Sequence, residues 1–286
     1  MAWQVIEVPV PAGVGEIVAD SFRNNGANGV SEEWRKGQDY VKAFWHEAIP
    51  DEVEATAKFV LGKMVEFDIL PAGTGYTLTE MEDQDWLEGW KQFFSPVSLT
   101  DRIAVMPSWE TYDALPGQQV IILDPGMAFG TGTHGTTYNC LLAVSDYVQP
   151  GLSFCDIGTG SGILAIAAAK LGASPIVGTD NDALAVKVAT SNAVVNKVDD
   201  QIKFTTADLT TGIDGKFDIT IANILAPVIL ELIPYLPGVM KPGGIFISSG
   251  YITSQEDDIA AALIAAGHTM IKRYEREDWV TLVSKS

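Results

Sequence analysis

The residues whose types and spacing suggest chemistry lie within residues 154–180, FCDIGTGSGILAIAAAKLGASPIVGTD. A short apolar run ends at Asp156. Three glycines follow at alternate positions: Gly158, Gly160 and Gly162. An Ala/Leu/Ile run and a second apolar run then lead to Asp180. This order predicts a strand, a glycine turn, a helix and a second strand, the first βαβ unit of a nucleotide-binding sheet. Glycines let the backbone lie close to a ligand, and an acid at the tip of the second strand can accept both hydroxyls of a ribose.

The position of the third glycine, Gly162, distinguishes a dinucleotide-binding site from an S-adenosylmethionine-binding site. A dinucleotide fingerprint, G-x-G-x-x-G, would need glycine at position 163, where the chain has Ile163. The form D-x-G-x-G-x-G that begins at Asp156 instead resembles motif I of the class I S-adenosylmethionine-dependent methyltransferases. A glycine-rich turn without a ligand is the alternative, but it would make the position of Asp180 a coincidence.

The composition is that of a folded, acidic chain. Its 286 residues are 47% hydrophobic and 19% charged, which is enough for a sizeable core and two domains. No apolar run approaches the roughly 18 residues of a membrane span, and the N-terminus lacks a signal-peptide pattern. The two cysteines and three histidines lie at no metal-ligand spacing, so we expect a cytoplasmic protein without a metal site. The net charge of −19 disfavours direct nucleic-acid binding and favours a basic protein partner, although solubility alone also explains such a charge.

The first third of the chain predicts a small α+β domain. Strands are predicted near residues 3–10, 29–34, 40–45 and 76–81, with helices near residues 14–22 and 51–67. This β-α-β-β-α-β order is ferredoxin-like, and we place the domain at residues 1–83. An interdomain helix over residues 84–96 should follow. Its aromatic residues Trp86, Trp90 and Phe94 are expected to pack on a domain, with substrate binding as the alternative.

Residues 97–286 predict a larger α/β domain. Residues 1–96 carry 17 acidic against 7 basic side chains and residues 97–286 carry 20 against 11, which supports a boundary near residue 96. Strands alternating with helices imply a mainly parallel sheet with right-handed crossovers. Two final strands, near 268–276 and 279–284, are joined by only a few residues, so one of them must be antiparallel.

Two short apolar runs precede this alternating pattern. They cover residues 103–109 and 119–123 and flank the Pro116-Gly117 turn. Apolar runs around a turn of this type predict a β-hairpin.

A second unusual stretch, DPGMAFGTGTHGTTYNCLLAV, covers residues 124–144. Threonines, a histidine and glycines crowd its first half, and a helix is predicted from about Thr136. A loop of this composition at a helix N-terminus can fold over a ligand with its hydroxyl and N–H groups. An ordinary flexible loop is the alternative.

Several motifs together resemble one family. DPGMAFGTGTHGTT, DIGTGSGILAIAAAKLGA, ANILAPVI and DWLEGWKQFFSP are similar to the ribosomal protein methyltransferases that modify large-subunit protein eleven. The resemblance is close over residues 84–286 and implies a class I methyltransferase domain with a Rossmann-like sheet over residues 97–286. It implies that the cofactor is S-adenosylmethionine and that residues 1–83 recognise the substrate. That substrate would be a basic ribosomal protein, methylated on its α-amino group and on lysine side chains.

The same resemblance implies roles for particular residues. Cofactor contacts would come from Thr137, Gly158, Gly160, Asp180 and Asn223, with Phe129, Thr133 and His134 in a loop that covers the cofactor. His134 is expected to contact a ligand without acting as a base. The family usually has proline where Gly135 stands, so we expect a looser start to the helix that follows.

Asn223 is the candidate catalytic residue. Methyl transfer requires a neutral amine to lie on the axis of the S–CH₃ bond, so positioning is the main task of the enzyme. The amide oxygen of Asn223, at the end of a core strand, can accept amine N–H bonds and direct the nitrogen lone pair. Amine methyltransferases often carry Asn/Asp-Pro-Pro-aromatic here, whereas Asn223 is followed by Ile224-Leu225-Ala226. A helix N-cap is the alternative role of Asn223.

These patterns favour a protein-amine N-methyltransferase that acts as a monomer. A methyltransferase for RNA or a small molecule is the first alternative, and the acidic charge and the added N-terminal domain disfavour it. The second is a catalytically silent cofactor-binding protein that assists ribosome assembly.

Overall fold

The computed structural model describes residues 2–11, 13–35, 37–46, 48–67, 69–82, 95–124 and 135–286. The chain divides into two compact units, a smaller unit, Met1–Phe94, and a larger unit, Ser95–Ser286. Trp86, Trp90 and Phe94 of the predicted interdomain helix lie outside the described residues.

The smaller unit is an antiparallel sheet with two helices. Its elements are β1 (Ala2–Val10), α1 (Gly15–Asn24), β2 (Gly29–Arg35), β3 (Gln38–His46), α2 (Pro50–Glu66) and β4 (Thr77–Glu82). The strand order β2-β3-β1-β4, with every pair antiparallel, confirms the predicted ferredoxin-like fold. Alternate residues of β1, such as Ile6 and Val8, share one buried cluster with Phe22 of α1 and Val60 of α2. The apolar side chains that the period-two pattern places on one face of β1 therefore pack in one core with those that helical spacing places on one face of α1 and of α2.

The larger unit begins with a three-stranded sheet. Its strands β5 (Val97–Ser98), β6 (Ile103–Met106) and β7 (Gln119–Ile122) lie in the order β5-β6-β7. β6 and β7 pair in parallel, so the predicted hairpin is wrong. The Pro116-Gly117 turn lies within a crossover made by residues 107–118, which is long enough to return the chain to the start of β6. There the Gln118 side chain donates a hydrogen bond to the carbonyl of Thr100, Nε2 to O 2.6 Å.

The main sheet of the larger unit has seven strands. They are β8 (Phe154–Ile157), β9 (Ile176–Asp180), β10 (Ile202–Thr206), β11 (Phe217–Asn223), β12 (Met240–Ile252), β13 (Thr269–Arg276) and β14 (Trp279–Lys285). Their order is β10-β9-β8-β11-β12-β14-β13. Six of these strands run in one direction and β14 runs in the opposite direction, which confirms the predicted mainly parallel sheet with one antiparallel strand near the C-terminus.

Helices cover both faces of the main sheet. They are α3 (Gly135–Tyr147), α4 (Ile163–Lys170), α5 (Ala183–Asn196), α6 (Ala226–Leu232), α7 (Leu236–Val239) and α8 (Glu256–Ala265). One buried cluster includes α3, α4 and one face of the sheet, and a second includes α6, α7, α8 and the opposite face. Because both faces are covered, the central strands are apolar almost throughout; every residue of β8 is buried. Within the described part of the chain, no helix combines the length and hydrophobicity needed to cross a membrane.

Candidate functional site

A cavity of about 330 Å³ opens at the carboxyl ends of the parallel strands. It lies where the strand order reverses between β8 and β11, the position at which open α/β sheets bind ligands. All five of the predicted site residues that the structure describes line it: Thr137, Gly158, Gly160, Asp180 and Asn223. The fold therefore brings these five residues together at one site.

The three alternate glycines form a turn that other residues could not easily adopt. Gly158, Gly160 and Gly162 have φ angles of +73°, +53° and +81°, in the left-handed region. A Cβ on Gly158 would overlap Cγ2 of Ile224, and one on Gly162 would lie 2.9 Å from Cβ of Ala189. The turn is thus closely packed on the protein side and presents bare backbone to the cavity.

Asp180 joins this turn to the end of β9. Its Oδ2 accepts a hydrogen bond from the Gly160 N–H at 2.9 Å, and its Oδ1 accepts one from the Asp182 N–H at 3.0 Å. An ionised carboxylate has about four acceptor positions, so Asp180 keeps capacity for two further donors such as ribose hydroxyls.

Asp156 lies beneath the turn and is fully buried. Its Oδ2 accepts a hydrogen bond from the Thr159 hydroxyl at 2.7 Å. Burial raises the pKa of the Asp156 carboxyl to about 7, and the Thr159 hydrogen bond only partly offsets that effect. Asp156 therefore supports the turn from below and does not line the cavity.

Asn223 is the last residue of β11, and its Oδ1 is buried. None of the described residues places a donor within hydrogen-bond distance of this oxygen. The same holds for the buried hydroxyl oxygen of Thr137, in the first turn of α3. Thr179, near the end of β9, also lines the cavity and has such a hydroxyl oxygen. Buried polar atoms are nearly always paired, so three lining residues with oxygens that lack a partner among the described residues indicate a polar ligand. The alternative role of Asn223 as a helix N-cap is wrong, because the N-cap of α6 is Leu225.

The predicted loop residues Phe129, Thr133 and His134 lie outside the described residues. The first residue after them, Gly135, begins α3 and packs against Trp279 of β14. A Cβ at position 135, including that of proline, would lie 2.7 Å from Cδ1 of the Trp279 indole ring. The glycine therefore allows a close contact between α3 and β14.

The sequence analysis missed several lining residues. Asn181, Asp208, Leu209, Ile224, Leu225 and Val228 complete much of the wall. Asp208 could have been found, because an acid just after β10 lies at the same edge of the sheet as Asp180 after β9. The two aspartates are the charged residues of the lining, which contains no lysine or arginine among the described residues. This wall suits hydroxyl-bearing or cationic groups better than a pyrophosphate.

The seven-stranded order with its antiparallel β14, the glycine turn after β8 and the acid after β9 define a class I methyltransferase catalytic unit. Comparison with known proteins then identifies the family. The family model of the ribosomal protein L11 methyltransferases matches residues 2–286. The chain belongs to this family.

Individual relatives cover most or all of the chain. The ribosomal protein L11 methyltransferase of Listeria innocua is 39% identical over 100% of this chain and 99% of its own length. That of Halalkalibacterium halodurans is 42% identical over 86% of this chain and 77% of its own length. The crystal structure of a ribosomal protein L11 methylase from Lactobacillus delbrueckii subsp. bulgaricus is 35% identical, with a TM-score of 0.63 over 67% of this chain and 98% of that one.

Proposed function

We propose that this chain transfers methyl groups from S-adenosylmethionine to amino groups of ribosomal protein L11. The observation that carries the proposal is that Asn223 lines the cavity and its buried Oδ1 has no hydrogen-bond partner among the described residues. A substrate amine supplies the N–H donors that this oxygen lacks, so binding the amine removes the cost of leaving the oxygen unsatisfied.

The cavity has the features that S-adenosylmethionine needs. The Gly158–Gly160 backbone leaves room for close approach, and Asp180 offers acceptor positions for ribose hydroxyls. The absence of lysine and arginine among the described lining residues suits a ligand with a cationic sulfonium. When bound, S-adenosylmethionine supplies an electrophilic methyl group.

The contribution of the chain is to select and aim a neutral amine. A lysine amine has a pKa near 10.4 and an α-amine one near 8, so both must lose a proton before they attack. Burial in the cavity favours the neutral amine, because desolvation disfavours the cation. As a hydrogen-bond acceptor, Asn223 Oδ1 can then hold an N–H of the amine and leave the lone pair directed away from it.

The choice of substrate is supported by the family and by charge. The relatives named above are L11 methyltransferases, and the chain carries a net charge of −19 that would attract a basic ribosomal protein. We assign recognition of that protein to residues 1–83, where acidic side chains are densest.

The test is methyl transfer from labelled S-adenosylmethionine to purified L11, ribosomal RNA and small amines in parallel. Label on L11 is expected. Label on RNA or on small amines instead would replace the proposed substrate. Cofactor binding without transfer to any acceptor would refute the catalytic role.

Asn223→Ala should lower kcat about 10²-fold, the scale of lost positioning, while cofactor affinity changes less. In Asn223→Asp the carboxylate would raise the pKa of the bound amine, so activity should recover only at higher pH. Thr220→Val is a matched control: Thr220 lies on the same strand, has a buried hydroxyl without a partner among the described residues, and does not line the cavity. Equal rates for Asn223→Ala and Thr220→Val would remove Asn223 from the mechanism.

A further inference from the structure

We propose that Gly250 is a positioning residue for methyl transfer, because it fixes the backbone of Ile224 and so holds Asn223 in place. This inference rests on the proposed function. It concerns a residue that does not line the cavity and acts through the segment that does.

Gly250 lies at an irregularity in β12. The pairing of β12 with β14 is regular up to Ser249, which faces Thr281, and resumes with Tyr251, which faces Val280. Gly250 is therefore the extra residue of a β-bulge, and its φ of +98° lies in the left-handed region. Bulges of this kind redirect the strand and are frequent beside functional sites.

The bulge brings Gly250 against the main chain of Ile224. A Cβ on Gly250 would lie 2.6 Å from the carbonyl carbon and 2.8 Å from the amide nitrogen of Ile224, and closer still to its carbonyl oxygen. Each of these atoms belongs to the backbone. No change of rotamer can relieve the overlap, so either the bulge or the peptide of Ile224 would have to move.

Ile224 is also held from the other side. A Cβ on Gly158 of the glycine turn would overlap Cγ2 of Ile224, so the side chain packs directly on that turn. The Ile224 N–H donates to the carbonyl of Ser249 at 3.1 Å, which ties the peptide to β12 just before the bulge. Ile224 is thus clamped between two glycine backbones, with Asn223 immediately before it.

The clamp determines the position of the proposed catalytic oxygen. Ordinary van der Waals contact begins near 3.4 Å, so an alanine at position 250 requires a displacement of roughly 1 Å. Displacements of about 1 Å in positioning groups can lower rates about 10²-fold. Asn223 is joined to Ile224 by one peptide bond, so a shift of the Ile224 peptide also displaces Asn223. The glycine turn follows β8 and Asp180 ends β9, so neither is joined in sequence to Ile224, and the hydrogen bond from the Gly160 N–H to Asp180 does not involve Ile224.

The experiment compares Gly250→Ala with Gly267→Ala in the full chain. Gly267 has a similar φ of +91°, but a Cβ there would have nothing within 4 Å. Both variants therefore carry the backbone strain of a left-handed alanine, and only the first brings a Cβ into the backbone of Ile224. For each we would measure kcat and KM on L11, the Kd of S-adenosylmethionine by calorimetry, and Tm.

Gly250→Ala should lower kcat about 10²-fold and leave the cofactor Kd within about threefold, while Gly267→Ala keeps the wild-type kcat. A purely structural role would move Tm without this separation of kcat from Kd. Equal kcat in the two variants would overturn the proposal, and so would a loss of cofactor affinity as large as the loss of rate. If the wild type transfers no methyl group to any amine, the proposed function fails instead.

Ile224→Ala tests the clamp from the opposite side if Gly250→Ala does not fold. It removes the Cγ2 that packs on Gly158 and leaves the segment free to shift. We expect kcat to fall about tenfold with a smaller change in cofactor Kd. Wild-type kcat in this variant would contradict the clamp.

Discussion

Replacing Asp156 by asparagine should stabilise the larger unit, relative to the wild type, progressively as the pH rises from 4 to 7. Asp156 is fully buried beneath the glycine turn, and its Oδ2 accepts the hydroxyl hydrogen bond of Thr159. Asparagine has the same shape and keeps an acceptor oxygen for Thr159. The substitution therefore removes a buried charge and keeps an acceptor for Thr159, while its amide nitrogen cannot accept the backbone hydrogen bond from Ala165.

The size of the effect follows from the pKa. Burial raises the pKa of Asp156 from 3.8 to about 7, a difference worth about 4 kcal/mol as an upper limit. Between pH 4 and pH 7 the folded chain binds a proton that the unfolded chain has lost. The free energy of unfolding of the wild type therefore falls as pH rises through this window, and the full penalty persists above pH 7. Asparagine at position 156 does not titrate, so the variant should gain stability over the wild type progressively from pH 4 to pH 7.

Urea denaturation of the wild type and of Asp156→Asn at several pH values from 4 to 8.5 measures the difference in their free energies of unfolding. The other titrating groups are the same in both proteins, so their contributions cancel in this difference. Asp218→Asn provides a control of opposite sign. Burial there is outweighed by hydrogen bonds from Lys241 and Ser153, which hold the pKa of Asp218 at about 2. Asp218→Asn should therefore lower the free energy of unfolding above about pH 4, and the difference from the wild type should disappear as the pH falls toward 2. A stability difference for Asp156→Asn that does not change with pH would refute the reasoning.

Three further predictions concern the site and its partner. Asp180→Ala should weaken S-adenosylmethionine binding by about 2 kcal/mol, since ribose hydroxyls lose a charged acceptor and the Gly160 N–H loses its partner; undiminished affinity by calorimetry would contradict this. Gly162→Ala should cost more than about 1 kcal/mol in urea denaturation, because strain at φ +81° adds to contact with Ala189. Gly212 has a φ of +72° and open space around it, so Gly212→Ala should lower the free energy of unfolding only by the backbone strain. An equal loss of stability in the two variants would show that the contact with Ala189 contributes nothing. The kcat/KM for L11 should fall with added salt, because charge attraction between this acidic chain and a basic substrate is screened; a salt-independent kcat/KM would exclude that attraction.

The parts of the fold that depend on local pattern could be predicted from the sequence. Alternating apolar residues and helical spacing predicted the elements of the four-stranded and seven-stranded sheets, and the short link between β13 and β14 required an antiparallel strand. The site residues Gly158 and Asp180 were predictable because parallel strands place their carboxyl ends at one edge. Asp208 follows the same rule and was overlooked.

The remaining features depend on contacts between distant segments. The parallel pairing of β6 and β7 looked like a hairpin because a proline-glycine turn lies between them. The contact of Gln118 with Thr100 and the hydrogen bond from the Gln119 N–H to the Arg102 carbonyl show where the chain returns. The buried oxygen of Asn223, which has no partner among the residues that the structure describes, and the approach of Gly250 to Ile224 arise where separate strands meet. Spacing along the chain carries no information about such distances.

The place of β14 in the main sheet has a consequence for biosynthesis. β14 pairs with both β12 and β13, and β13, which precedes it on the chain, has no other sheet neighbour among the described strands. On the ribosome, β13 therefore emerges before the strand it needs, and the sheet cannot incorporate it until residues 279–285 have also emerged. A chain cut just before Trp279 would lose two strands from the sheet, and the edge of β12 beside the bulge would be left open.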